Sequence, residues 1–219
     1  MTALKMILSS TLCLWLGFYM RDSTQKKRIK IIEVATELFI ERGYKDTSLD
    51  QIVAICGGSK QTLYRYFSNK EGLFVEVLAH NTKSSLESVF QLTEKHNEPL
   101  QVTLEHFAIK YLKGICTSTI LGLFRIIAAD FNKHDSVPLQ FWQTGPLRIH
   151  QYLIEFLKTS EACQSLHIED ADLACAQLLS LIKLDYQNLA LLGLELPGDE
   201  QLRQHIKKAV STFLSLYQK

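Results

Sequence analysis

The stretch that decides the fold is Ser59-Lys60-Gln61-Thr62-Leu63-Tyr64-Arg65-Tyr66-Phe67, followed by Ser68-Asn69 and Lys70-Glu71-Gly72-Leu73-Phe74. Leu63 and Phe67 share one helical face, while Gln61, Tyr64 and Arg65 fall elsewhere on the turn and Lys60 stands at the helix N-terminus. Ser59 can cap this helix, and Gly57-Gly58 breaks the chain before it. Upstream, Leu49, Ile52, Val53 and Cys56 form the inner face of another short helix. Thr47 or Ser48 caps it, and Ser48 with Gln51 fits a capping box. Two short helices joined by a tight glycine turn predict a helix-turn-helix over about residues 48–67. Before it, Lys26 to Arg42 reads as a helix that turns Ile31, Ile32, Ala35, Leu38 and Phe39 inward and ends at Gly43, a left-handed cap. After it, Ser68 and Asn69 stop one helix and start the next, a long one carrying Leu73, Phe74, Val77 and Leu78. No Pro/Ser/Gly linker separates this helix from the C-terminal body, so it is expected to couple head and body rigidly.

The chain has 219 residues, 47% of them hydrophobic and 21% charged, with 10 Gly and 4 Pro. That composition excludes a disordered or collagen-like chain, and so little turn punctuation argues against a many-stranded sandwich. Helical periodicity continues through Leu100–Leu112, Ile120–Asn132, Arg148–Lys158, Asp170–Leu192 and Asp199–Tyr217. The expected fold is all-α, about nine helices in all. It comprises an N-terminal three-helix bundle with the helix-turn-helix, residues 20–70, and a larger C-terminal helical domain, residues 71–219. A formal net charge of +1 hides an asymmetry: residues 20–70 hold 10 basic and 6 acidic side chains, residues 71–219 hold 13 and 17. A basic head on an acidic body suits a polyanion partner.

A helix in the major groove needs side chains that reach base edges and flanking donors that clamp phosphate. Lys60 can donate to guanine, Gln61 can pair with adenine, and Arg65 can do either job. Tyr64 and Tyr66 offer hydroxyls and flat rings. Thr47 and Ser48 place hydroxyls and free N–H groups at a helix start, and Lys70 does so from the other side.

The ordered string from Ile31 to Phe74 resembles the TetR family of bacterial transcriptional repressors. Ile31-Ile32-Glu33-Val34-Ala35-Thr36-Glu37-Leu38-Phe39 is similar to that family's first helix, Arg42-Gly43-Tyr44 to its turn, and Thr47-Ser48-Leu49-Asp50-Gln51-Ile52 to its second helix. Ser59 to Phe67 and Asn69 to Phe74 are similar to its recognition segment. The resemblance implies a homodimer on a near-palindromic double-stranded DNA operator. It makes Lys60, Gln61, Thr62 and Arg65 candidates for base contact, and Thr47, Ser48, Tyr64, Tyr66 and Lys70 candidates for backbone contact. In one departure, Gly57-Gly58-Ser59 lacks the apolar residue the family usually carries between glycine and serine, so a looser turn is expected. Further on, Arg125 to Asp130, Phe141 to Pro146 and Asp170 to Leu192 resemble the AefR-like group within the family.

For the body, the resemblance implies effector binding and dimerisation. The two terminal helices are rich in apolar residues, and Leu173, Gln177, Leu181, Leu184, Ile206, Val210, Phe213 and Tyr217 are the candidate dimer interface. Candidate lining for a small-molecule pocket is His106, Phe107, Tyr111, Phe124, Phe131, Phe141, Trp142, Tyr152 and Tyr186, which suits an apolar ligand of unknown identity. Repression would end when a ligand favours another separation of the two recognition helices, with the helix from Lys70 as lever. The alternative is a DNA-binding protein of the same fold without a small-molecule effector, acting through a protein partner or as an architectural factor.

Five widely spaced cysteines, Cys13, Cys56, Cys116, Cys163 and Cys175, contain no C-x-x-C and predict neither a disulfide framework nor a zinc site. Nor does any histidine sit in a metalloprotease or hydrolase motif, and there is no phosphate-binding glycine loop. No catalytic residue, metal or cofactor is expected. Lys5 precedes fifteen uncharged residues, Met6 to Met20. This run is short for a membrane span, which needs about 20 apolar residues, and no small-x-small cleavage site comes after it. Residues 1–19 therefore read as a hydrophobic extension, with translation expected to start at Met20. Its rival is a membrane anchor. A cytoplasmic protein without stable membrane association is the expectation.

Overall fold

The computed structural model describes the backbone of residues 3–90, 98–132, 135–159 and 165–219, and the side chains of these residues except 3–23, 86, 88 and 90. The side chains of Met6–Met20, on which the anchor reading turns, lie outside the described residues, as do Cys13 and Cys163. The described residues form eleven α-helices. Their order is α1 Ala3–Asp46, α2 Leu49–Cys56, α3 Lys60–Phe67, α4 Lys70–Phe90, α5 Leu100–Ile115, α6 Ser118–Asp130, α7 Ser136–Thr144, α8 Pro146–Leu157, α9 Ala171–Lys183, α10 Tyr186–Leu191 and α11 Asp199–Tyr217. Leu166 and Gln218 pair in one isolated antiparallel bridge. Two compact units divide inside α4, one ending at Val77 and the other starting at Leu78. No single helix among the described residues is long and apolar enough to cross a membrane.

In the first unit the periodic residues meet as their spacing demands. Ile31, Ile32, Ala35, Leu38 and Phe39 of α1 are buried, with Ile52, Leu63, Phe67, Leu73, Phe74 and Val77. Phe39 meets the edge of Phe74 at 5.0 Å, and Tyr44 lies 5.2 Å from the same ring. Gly43 breaks α1 with φ 84° and ψ 167°. The φ is the positive value expected, but the ψ is extended, so this is a kink rather than a left-handed helical cap. Gly72 is required for another reason: a Cβ there would stand 2.2 Å from the backbone oxygen of Phe67.

The second unit is built on α5, α8, α9 and α11. Its core includes Leu104, Phe107, Leu112, Ile149, Leu153, Leu178, Ile182, Ile206, Val210 and Phe213. One expected long helix, Asp170–Leu192, is two. The chain breaks at Leu184, a leucine held at φ 41° and ψ −132°, and resumes at Tyr186. Neither glycine nor proline marks this break, so composition could not reveal it.

Candidate nucleic-acid interface and ligand cavity

The interface begins with the caps that set α2 and α3. Ser48 Oγ accepts from the Gln51 N–H, and Gln51 Oε1 accepts from the Ser48 N–H at 2.7 Å, which completes the expected capping box. Ser59 Oγ accepts from the Thr62 N–H at 3.2 Å, and Asn69 Oδ1 accepts from the Gly72 N–H at 2.7 Å. These bonds satisfy helix-end donors and fix where each short helix starts. Gly57 and Gly58 hold φ 70° and 109°, the conformation that makes the turn tight.

With Leu63 and Phe67 anchored in the core, α3 presents Lys60, Gln61, Tyr64 and Arg65 to solvent. Tyr64 is 49% exposed. Arg65 lies over the Tyr66 ring at 5.3 Å, which holds the guanidinium along the helix surface. Lys60 Nζ sits 2.6 Å from Asp50 of α2, so its ammonium is held beside the recognition face by a carboxylate. Thr62 is half-buried, its hydroxyl 3.1 Å from that of Ser59.

Two expected backbone contacts take other positions. Thr47 is only 1% exposed, and its hydroxyl donates to the Gly43 and Leu38 carbonyls at 2.8 and 3.1 Å. It closes the kink in α1 instead of offering its hydroxyl to phosphate, because the extended Gly43 leaves carbonyls that need a donor. Lys70 donates to the Lys45 carbonyl at 3.1 Å and lies 4.4 Å over the Tyr44 ring, so part of its role is structural. Lys27 and Asp50 escaped sequence reading. The Lys27 side chain lies over Gly58, with Nζ 3.1 Å from where a Cβ would stand. The end of the lysine side chain thus lies over the place left by the missing apolar residue, a position that composition does not signal. Arg28 is spent internally: it pairs with Glu76 at 2.6 Å and lies over Phe67.

A cavity of about 410 Å³ opens within the second unit, lined from α4 through α10. Tyr111, Phe124, Phe141 and Trp142 line it as expected. Phe124 and Trp142 are also exposed to solvent, which places them at its mouth. The other five candidates lie elsewhere. Phe107 is buried in the core, stacked on Tyr111 at 5.8 Å. Tyr152 packs against that core, and Tyr186 meets the edge of His205. His106 is a surface residue 3.2 Å from Glu98, and Phe131 is the C-terminal cap of α6. Periodicity shows that Phe107, Tyr152 and Tyr186 face inward but cannot tell packed interior from void, whereas His106 stands on the surface and Phe131 at a helix end.

Polar residues that sequence reading missed complete the lining: Thr82, Ser85, Lys183 and Gln187. Thr82 was the one legible signal, a hydroxyl inside the apolar stripe of α4. It is buried, and its oxygen has no hydrogen-bond partner in the protein. Burial pushes the Tyr111 phenol well above its usual range, so it stays protonated and can donate. Burial also raises the Cys116 thiol, and with Asp172 nearby it pushes Cys175 up to about 12. Raised thiols of this kind are poor nucleophiles.

The dimer candidates divide. Ile206, Val210 and Phe213 are fully buried in the chain's own core, against α5 and its neighbours, so they are not available to a partner. Leu181 packs partly on that core, and the Tyr217 hydroxyl bonds to Gln177. Leu173 and Leu184 stay exposed, at 52% and 61%, together with Leu216. A helix against its own core has one buried face, and only the opposite face can meet another chain.

Residues 31–77 match the family of bacterial regulatory proteins described as the tetR family, and residues 102–219 match the AefR-like transcriptional repressor C-terminal domain. The chain belongs to the TetR family of DNA-binding transcriptional regulators. Among solved structures it is similar to the flavonoid-responsive regulator FrrA, at 31% identity over 89% of this chain and 98% of that one, with a TM-score of 0.75. A TetR-family regulator from Mesorhizobium loti shares the fold at a TM-score of 0.81 and 24% identity, over 90% and 98% of the two chains. Among curated relatives, QacR of Staphylococcus aureus is 33% identical over 38% of this chain and 55% of its own length. The activator FasR of Mycolicibacterium smegmatis is 31% identical over 37% and 39%. The chain thus spans about half or less of the curated relatives it matches.

Proposed function

We propose that this protein is a homodimeric, cytoplasmic repressor that leaves a near-palindromic operator when a small, largely apolar molecule fills the cavity of its second unit. One observation carries the reading: a recognition helix with Gln61, Tyr64 and Arg65 on its exposed face shares a chain with a mostly apolar cavity. The cavity favours a ligand-gated regulator over a same-fold protein without an effector. FrrA is flavonoid-responsive by name, and the aromatic wall here suits a flat aromatic molecule in the same way. Exposed Leu173, Leu184 and Leu216 support a partner helix face on α9 and α11. α4 begins at the recognition unit and continues to Thr82 and Ser85 at the cavity, so it is the natural lever.

The test is fluorescence anisotropy on DNA flanking the protein's own gene, at two salt concentrations, with a Gln61→Ala, Arg65→Ala variant alongside. The expected result is tight, salt-sensitive binding to one duplex, lost in the variant, and release by an aromatic compound. Equal weak binding to every duplex would overturn the local-repressor reading. A reporter that rises rather than falls with the protein would overturn repression.

A further inference from the structure

The cavity has apolar walls but carries hydrogen-bonding groups that the protein itself leaves unanswered. Thr82 Oγ1 is buried without a partner. Tyr111, Gln187 and Lys183 also line the cavity, and the side chain of none makes a hydrogen bond or ion pair with another described residue. Buried polar groups are ordinarily paired, so the unpaired Thr82 hydroxyl, on the same void as Tyr111, Gln187 and Lys183, points to a ligand that pairs it.

Charge narrows the class. Among the described lining residues Lys183 is the one charged residue, and none is a carboxylate. It is half-buried at the last turn of α9, just before the Leu184 break that carries Gln187 round to the same void. An ammonium facing apolar walls attracts an anion more strongly than in water, and no local carboxylate competes for it. A cationic ligand would meet Lys183 with no acid to offset it. The aromatic wall of Phe124, Phe141 and Trp142 suits a flat body.

We infer that the cavity takes an aromatic anion, its rings against Phe141 and Trp142 and its acidic group on Lys183, with Thr82, Tyr111 or Gln187 binding a second polar substituent. This rests on the reading of the cavity as the effector site. The alternative for Lys183 is that its ammonium turns to water and only its stem covers apolar surface.

Two fluorescent probes on the same scaffold test it with the full-length protein. One is 1-anilinonaphthalene-8-sulfonate, an anion, and the other is N-phenyl-1-naphthylamine, which lacks the sulfonate. The wild type should prefer the anion by about tenfold or more, as expected for a hydrogen bond to a charged group. Lys183→Met should abolish that preference and leave the neutral probe unchanged, while Lys183→Arg keeps it. Gly114→Phe serves as a cavity block. The Gly114 Cβ position has only ordinary contacts, 3.7 Å or more, so the ring can project into the void. Both probes bound, both displaced by Gly114→Phe, and no dependence on Lys183 would overturn the anion assignment but keep the effector cavity. Binding of neither probe, or binding indifferent to Gly114→Phe, would overturn both.

Discussion

The two units put the same helical periodicity to opposite uses. In the first, Phe39, Ile52, Leu63 and Phe74 are all buried, and the proposed DNA contacts project outward from α3. In the second, seven helices leave a void of about 410 Å³, and the proposed effector site is what they fail to fill. A projecting face is set by one short helix and its caps. A void is set by the sum of many side-chain volumes, none of which encodes it alone. Sites of the first kind should tolerate core changes poorly and surface changes specifically. Sites of the second kind should respond to volume and to unpaired polar atoms.

The largest effect is expected at Phe213. Phe213→Ala is expected to destabilise the second unit by about 3–5 kcal/mol in urea unfolding, because the ring is wholly buried. Leu173→Asp should instead leave unfolding nearly unchanged and convert the proposed dimer to monomer in sedimentation. If both variants dissociate a stable fold, the assignment of Phe213 to the chain's own core is wrong. Next comes Gly72→Ala, expected to cost about 3 kcal/mol or more, since its Cβ would overlap the Phe67 carbonyl. DNA binding should fall with it.

Smaller effects sharpen the contrast. Arg65→Ala should weaken operator binding by about 1–3 kcal/mol without altering stability, whereas Asp50→Asn should strengthen it by freeing Lys60 from its 2.6 Å ion pair. Anisotropy titrations at fixed salt decide both. In the cavity, Thr82→Val should raise the stability of the ligand-free protein by about 1 kcal/mol, because it removes a buried hydroxyl without a partner. A loss of stability would mean that the hydroxyl is satisfied in solution. Least of all is a pH effect. The folded Cys175 thiol keeps its proton to about 12 while an unfolded thiol releases it near 9.0. Stability should therefore fall as pH rises above about 9, and Cys175→Ala should lessen that slope in thermal melts. At neutral pH, alkylation of Cys175 should require unfolding.

Legibility divided along the same line. Ser48 with Gln51, Ser59, Asn69 and the stripe from Ile31 to Phe39 took the places their spacing predicts, because caps and stripes act over three or four residues. Thr47 did not, since its hydroxyl answers carbonyls exposed by an extended Gly43. In the second unit the sequence alone establishes that Phe107 and Phe141 both face inward. Only the packed structure sends Phe107 to solid core and Phe141 to the cavity wall, and Lys183 to the same void across a helix break with no glycine or proline to announce it. Local hydrogen bonds and periodicity are properties of neighbours in the chain. Whether inward-facing side chains meet or leave a gap depends on the volumes and directions of helices far apart in sequence, and that is decided only when they pack.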